Sequence, residues 1–415
     1  MTFSEKPVVV VGAGIVGVCC AAYLLRAGRK VVLVDRRGVA EMTSFGNAGG
    51  IQNLAATPIS MPGMLWKVPK WLRDPNGALH IRPSYLPRAT PWLLRFLGEG
   101  RVVRVWRNAH ALNALNSRCV ETLMPLARWA GVDDLIRVPG QLYVFGSRES
   151  FESDRLANQI RASMGHACEV IDKATIRELE PDLAPVFEVG LRVPGNGHCR
   201  NPHRLAVAIA EKAAAEGLEM VGADVHGFER DGVAISGVVT DRGVIPAADV
   251  VVAAGMWSRT LAAELGHAVP LESHRGYHVT IPNPGNVPRN MLLAIDRKIA
   301  VTPMEGGLRV AGTVEFAGLE PPPTPGRAHS LLAQAAQILP GLDTSGHREW
   351  MGHRPCTPDS VPVIGRSPTV PNAWFAFGHG HMGLIGAAPT GALVAQLVTG
   401  QSPAIDPAPY RIDRF

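Results

Sequence analysis

The sequence predicts an α/β fold: a parallel-sheet domain assembled from separate chain segments and interleaved with a strand-rich α+β domain. Three observations carry that prediction. An apolar run, a glycine-rich turn, a helical stretch and a second apolar run fill the first 35 residues. Short strand-like segments bounded by turn residues dominate residues 218–313. The last quarter returns to strand, glycine turn and helix. Alternation of this kind builds mixed sheets covered by helices.

The opening unit is the most legible. Val8–Val11 is a buried-strand pattern, Gly12–Gly17 reads GAGIVG, and Val18–Ala27 has helical character until Gly28 stops it. Lys30–Val34 is a second β-branched run, ending at Asp35. This is one βαβ unit of the Rossmann type. Gly12 permits the tight turn, Gly14 lets backbone approach a pyrophosphate, and Gly17 lets helix and strand pack closely. The helix start at Ala13, Ile15 and Val16 supplies N–H donors and a positive dipole end. Asp35 is placed to accept hydrogen bonds from an adenosine ribose, which leaves FAD or NAD as the dinucleotide. Arg36 and Arg37 could bind a 2′-phosphate, but Asp35 would repel it; Arg36 is expected to cover the adenine and Arg37 to be solvated.

Thr43–Ile51 (TSFGNAGGI) reads as a loop. Residues 58–100 form a long Pro-rich excursion. Trp66, Trp71 and Trp92 sit there among Lys67, Lys70, Arg73, Arg82, Arg88 and Arg95. Residues 101–131 are predicted helical, Gln141–Phe145 a strand, and Asp172–Glu180 and Asn201–Glu216 helices. Leu218–Phe228, Val233–Thr240, Val250–Ala254, His278–Ile281, Ile299–Pro303 and Leu308–Thr313 are predicted strands. Residues 328–338 are helical, followed at the end by Trp374–Phe377, GHGHMG and the helix Leu384–Thr399. Pro389 is expected early in that helix, where proline is tolerated. The expected domains are 1–57, 198–263 and 350–415 for the dinucleotide, and 58–197 and 264–349 for the substrate.

Composition excludes several classes. The chain has 415 residues, 46% hydrophobic and 19% charged, which is globular. Forty-one Lys and Arg against 36 Asp and Glu leave +5. No basic block interleaved with aromatics accompanies that excess, so no nucleic-acid partner is expected. Six cysteines without CxxC spacing argue against a disulfide scaffold or a metal site and suit a reducing, cytoplasmic setting. No signal peptide and no uninterrupted apolar run of about 18 residues is visible.

The second glycine motif, Gly378–Gly383, lies between strand and helix, but too little chain follows to complete another dinucleotide unit. A helix start aimed at a second part of the same ligand stabilises negative charge, which a reduced flavin carries and NADH does not. FAD is therefore favoured.

These segments together resemble the D-amino-acid oxidase/dehydrogenase superfamily of FAD flavoproteins. Within it, the bacterial D-amino-acid dehydrogenase small subunit and the D-hydroxyproline dehydrogenases are most similar. The resemblance rests on Val8–Asp35, TSFGNAGGI, the Pro/Trp-rich stretch from PGMLWKVPKW, AAGMWS (Ala253–Ser258), RGYHVTI (Arg275–Ile281), LRVAGTVEFAG (Leu308–Gly318), GHRPCTPDSVPVIG (Gly352–Gly365) and GHGHMG. It assigns Ser44, Asn47, Ala48, Gly49 and Gly50 to the flavin side. It adds Val225, Ala254, Gly255 and Trp257, and Gly380, His381, Met382, Gly383 and Leu384, to the cofactor set. It puts Arg354 where the family's carboxylate-binding arginine falls, with a planar fork suited to a carboxylate. Tyr277 is the expected second substrate contact or lid, and His379 completes the reacting centre. Strand alternation puts Tyr277 and His278 on opposite faces, so at most one lines the pocket. Related sarcosine oxidases attach flavin through a Cys five residues before Thr-Pro-Asp. Here that position is Gly352, so noncovalent FAD is expected, with Cys356 a packed thiol. The dehydrogenases often carry Trp where this chain has Leu384.

The implied reaction is oxidative deamination of a D-amino acid. Hydride passes from Cα to flavin N5, giving an imino acid and then a 2-oxo acid, with electrons passed to a quinone or another acceptor. The alternatives are a D-hydroxyproline or cyclic imino acid dehydrogenase, a glycine/sarcosine-type oxidase, and a non-catalytic flavin-binding subunit of a complex. Residues 58–100 have two readings, peripheral contact with the inner face of a bacterial membrane or a loop packed on its own fold.

Overall fold

The computed structural model describes residues 6–64, 77, 79–165 and 167–415. Its first sheet has six strands in the spatial order Glu219–Gly222, Val31–Asp35, Val8–Val11, Asp249–Val252, Ala373–Phe377 and Val363–Arg366. All neighbours are parallel except the last pair. Val8, Val9 and Val10 are fully buried at its centre, as an all-apolar strand covered on both faces must be.

Two helices pack on this sheet. Ile15–Arg26 opens at Gly14, and Gly383–Val398 closes the domain against it. Their approach is close because Gly391 lacks a Cβ, which would stand 2.6 Å from the backbone of Cys19. Cys19 and Cys20 are small apolar fillers of this contact, and burial pushes the Cys20 thiol up to about 12. All six cysteines are unpaired. Gly380–Val398 has the length and apolarity of a membrane span, but 67% of it is buried inside this core. Pro389 is the seventh residue of Gly383–Val398, deeper than expected. It lies past the first turn, so it removes the hydrogen bond that the Ile385 carbonyl would accept.

The second sheet runs Arg348–Cys356, Glu272–Ile281, Gly307–Phe316, Ile299–Met304, Leu292–Ala294, Gln141–Phe145, Val189–Val193 and Glu169–Asp172, with Leu79–Ile81 paired to Gly307–Phe316. The helix His329–Ile338 covers one of its faces and shares its apolar core. The strand Arg348–Cys356 runs across the boundary expected at residue 350. Gly197–Cys199 pairs with Gly50–Ile51 across the one expected at 198.

Several elements differ from the sequence reading. Leu218–Phe228 is two strands: Glu219–Gly222 in the parallel sheet and Val225–Asp231 in a separate three-stranded antiparallel sheet. The chain turns where Asp224 N–H donates to Asp241 Oδ1 at 2.8 Å. The Pro-rich excursion contains the helix Leu86–Glu99, with Pro87 in its first turn and Pro91 inside. This helix buries Ala89, Trp92 and Phe96, spaced three and four apart as one helical face requires. Trp66, Trp71, Lys67, Lys70 and Arg73 lie outside the described residues.

Candidate active site

Two cavities meet where the sheets join. The smaller, of about 390 Å³, runs along the C-terminal edge of the parallel sheet, and the larger, of about 750 Å³, opens under the second sheet. Thr43, Asn47, Gly380 and Leu384 line both, so the two form one continuous site.

The smaller groove is built by the glycine turn. Gly12 has φ +106°, and a Cβ there would stand 2.6 Å from the Ala253 carbonyl oxygen. Only glycine tolerates both conditions. A Cβ on Gly14 would reach Ser44 Oγ at 3.3 Å, and Ser44 Oγ accepts from Ile15 N–H at 2.9 Å. Gly14 caps the helix without a side chain; Ser44 takes the Ile15 N–H, and Ile15 and Val16 line the groove. Asp35 holds the turn, accepting from Ala13 N–H and Arg37 N–H, each at 2.8 Å. Arg36 lies 4.7 Å over the Trp257 ring and 3.6 Å from Asp224. Asp35, Arg36, Ser44, Val16, Val225, Ala254, Gly255 and Gly383 all line this groove, and Ala48, Gly50 and His381 line the larger cavity. Ala13, Gly17, Gly49 and Met382 line neither. Gly17 packs where a Cβ would overlap the Gly12 carbonyl, and Met382 is buried with its sulfur accepting from Asn116. The glycine cradle, the open helix end and the continuous length suit a dinucleotide with a ring system at the junction, and FAD fits these residues.

The larger cavity has one polar end. Arg354 donates from Nη1 to the Thr313 carbonyl at 3.0 Å. Among the described residues it has no carboxylate within ion-pair distance, and the part of it that stays open faces this cavity. Burial pulls its pKa below the usual arginine value. His274 and His381 line the same cavity. Burial first, and then the Arg354 charge, lower His274 to about 3 and His381 to about 4, so both rings are neutral at neutral pH. Much of the remaining wall is apolar, including Ile59, Leu79, Leu93, Phe96, Met291 and Phe316, although Gln52, Ser153, Asp154 and Lys298 also line it.

The structure exchanges the positions expected for the two histidines of the closing turn. His379 faces the smaller groove, with Nε2 2.8 Å from Thr390 Oγ1, and burial lowers it to about 3. His381 faces the larger cavity instead. Tyr277 lines the larger cavity, but its hydroxyl is committed, donating to Glu315 Oε2 at 2.5 Å and accepting from Thr324 N–H at 3.0 Å. His278 stacks on Trp350 with ring centroids 4.9 Å apart and does not line the cavity. Cys356 packs with Trp92, Phe96 and Phe316, and burial pushes its thiol up to about 12. His274 and Trp350 lie outside every quoted segment and reach the cavity wall through strand pairing; Thr313 lies in Leu308–Gly318 but was assigned no role there.

The model of the DAO family, described as FAD dependent oxidoreductase, matches residues 7–397. A D-amino-acid oxidase of Bradyrhizobium diazoefficiens is 41% identical over 99% of both chains. A D-amino acid dehydrogenase of Rhizorhabdus wittichii is 34% identical over 98% of this chain and 100% of its own. The crystal structure of L-proline dehydrogenase from P. horikoshii superposes with TM-score 0.76 at 21% identity, covering 100% and 98% of the two chains, which is a likeness of fold.

Proposed function

The chain belongs to the DAO family of FAD-dependent oxidoreductases, and from that premise we propose that it oxidises D-amino acids at Cα. One observation carries the choice of substrate. Arg354 presents a guanidinium without a carboxylate partner to a cavity that is otherwise largely apolar. A desolvated cation of this kind is costly to leave unpaired, and its fork matches a carboxylate. The amino acid enters with its carboxylate on Arg354 and its side chain among Leu79, Leu93 and Phe96. Substrates with sizeable apolar side chains are therefore favoured over glycine or sarcosine.

Bound FAD supplies the hydride-accepting chemistry. Gly12, Gly14 and the start of the opening helix would hold its pyrophosphate and Asp35 and Arg36 its adenosine, and Gly380 and Leu384 would hold its ring side. Arg354 fixes the orientation of Cα–H. His381, neutral beside Arg354, accepts a hydrogen bond from the substrate amine. The apolar wall excludes water from the reacting carbon. The substrate loses a hydride from Cα and a proton from nitrogen. The resulting imino acid hydrolyses to a 2-oxo acid, and a cyclic one persists. Positioning and electrostatics account for most of the barrier lowering.

Residues 1–57, 198–263 and 350–415 are assigned to the FAD side, except the strand up to Cys356, which belongs to the second sheet, and the rest to the substrate side. A quinone is the proposed acceptor. Leu86, Leu94, Val102 and Val103 are exposed beside Arg88, Arg95 and Arg101. That mixture suits the anionic surface of a membrane's cytoplasmic face. Dioxygen is the second reading, favoured by the oxidase named at 41% identity.

The test is anaerobic bleaching of the yellow protein by D- and L-amino acids, including proline and hydroxyproline. Rapid bleaching by apolar D-amino acids is expected, and bleaching by L-isomers or glycine alone overturns the reading. Arg354→Ala should lose roughly 2–4 kcal/mol in kcat/KM. Peroxide formed in air separates the two acceptors. Flotation with anionic vesicles tests the membrane contact.

A further inference from the structure

We propose that His329, His347 and Glu349 form a binding site for Zn²⁺, or a borderline divalent ion of similar chemistry, on the helix-covered side of the second sheet. The three side chains each offer a ligand atom, and these atoms all lie within 4.8 Å of one another. His347 and Glu349 are two apart at the start of an extended segment, so the pleat points both to one side and Arg348 to the other. His329 is the first residue of the helix His329–Ile338 and meets them from across the packing interface, its ring centroid 6.0 Å from that of His347.

The orientation of His347 is the second observation. Its Nδ1 lies 3.0 Å from the Thr344 carbonyl, an acceptor only, so that nitrogen carries the proton. In the metal-binding form of the ring the lone pair is on Nε2, which stands 3.9 Å from Glu349 Oε1. Two acceptors face each other at a separation too long for a hydrogen bond and suited to a shared cation. A carbonyl on the far nitrogen is also the usual device that fixes the tautomer of a metal-binding histidine.

Two imidazole nitrogens and one carboxylate oxygen are the donor set of zinc rather than of magnesium or calcium, which prefer oxygen alone. His329 and Glu349 are exposed and His347 is partly so, which leaves room for a water as fourth ligand and a path of entry. The positive end of the helix opposes a cation, and the Glu349 charge offsets it. The ion would tie the helix to the strand Arg348–Cys356 and close the turn between them. That strand also carries Trp350 and Arg354, but the site is separate from the cavity they line.

The experiment uses the full FAD-loaded chain, cleared of metal with a chelator and titrated with Zn²⁺ against a chromophoric competitor. One bound Zn²⁺ should disappear in His347→Ala and in His329→Ala, and Glu349→Gln should weaken it roughly tenfold or more. Zn²⁺ should raise the Tm of the natural chain and not of the variants, and Mg²⁺ should raise neither. Each variant is first matched to the natural chain in flavin spectrum and in Tm without metal. His347→Gln replaces any alanine variant that does not match. Equal zinc stoichiometry and equal Tm shifts in the natural chain and all variants would overturn the site, as would the absence of zinc binding. None of these readouts depends on the identity of the amino-acid substrate.

Discussion

The guanidinium of Arg354 lies across Gly276. The two sit on neighbouring strands, Glu272–Ile281 and Arg348–Cys356, and a Cβ on Gly276 would overlap Cζ and Nη2 of Arg354. The glycine is thus the floor on which this guanidinium rests. Gly276→Ala should push the guanidinium aside, since the far end of a flexible side chain yields more readily than a strand. The expected result is a fall in kcat/KM on the order of 100-fold, with Tm close to that of the natural chain. Unchanged turnover in this variant would remove Arg354 from its assigned place.

Gly17 contrasts with Gly276 because what it meets is backbone. A methyl group there overlaps the Gly12 carbonyl, held by the turn and unable to yield. Gly17→Ala is expected to lose flavin and roughly 1–3 kcal/mol of stability. The ratio of flavin to protein absorbance, with thermal unfolding, checks it; full flavin content at an unaltered Tm contradicts it.

Tyr277→Phe separates a substrate role from a structural one. The hydroxyl binds Glu315 and Thr324, and Glu315 is fully buried beside Arg275. Arg275 in turn donates to the carbonyls of Gly318, Pro321 and Pro322, so these groups pin one loop to the sheet. Removing the hydroxyl leaves a buried carboxylate short of a donor, costing about 1–3 kcal/mol. A lowered Tm with KM within about threefold is expected, by analogy with lost structural bonds; a large rise in KM without a change in Tm points to direct substrate contact.

Acid should weaken the fold. Burial lowers His274, His278 and His379 to about 3, and His198 and His353 to about 4. The unfolded chain takes up protons on these groups from about pH 6.5, while the folded chain does not until pH 3–4. Their neutral burial is therefore fully supported above pH 6.5, and stability is lost as pH falls from there towards 4. Each such group contributes up to ~1.4 kcal/mol per pH unit in that window. Tm measured from pH 8 to 5 should be level at first and then decline below 6.5. A level profile down to pH 5 is incompatible with these burials.

Legibility followed the source of burial. The strand Glu272–Ile281 was readable only from His278 onward, because Glu272, Ser273, His274 and Arg275 look like a loop. Distant partners satisfy three of them in the buried strand: Tyr85 reaches Glu272 at 3.0 Å, Ser273 Oγ lies 2.9 Å from His353 Nδ1, and the loop at 318–322 receives Arg275; His274 packs its ring against Trp92 and leaves Nε2 without a hydrogen-bond partner among the described residues. The helix Leu86–Glu99 was hidden by Pro87 and Pro91, although its apolar face at Ala89, Trp92 and Phe96 has the right period. His379 and His381 could not be told apart by sequence, since a two-residue separation in a turn fixes no direction. The bond from His379 to Thr390 directs the one, and the other is left to the larger cavity.

The sequence alone determined the dinucleotide turn and the parallel strands beside it, because these depend on local backbone geometry and on apolar runs that read the same in any context; Arg354 was marked only by the resemblance to a family. Only the tertiary structure decided that Gly276 carries that guanidinium, that His381 and His274 share its cavity, and that His329 meets His347 and Glu349. Those relations arise between segments far apart in the chain, where strand register and helix packing, not neighbouring residues, set which side chains meet.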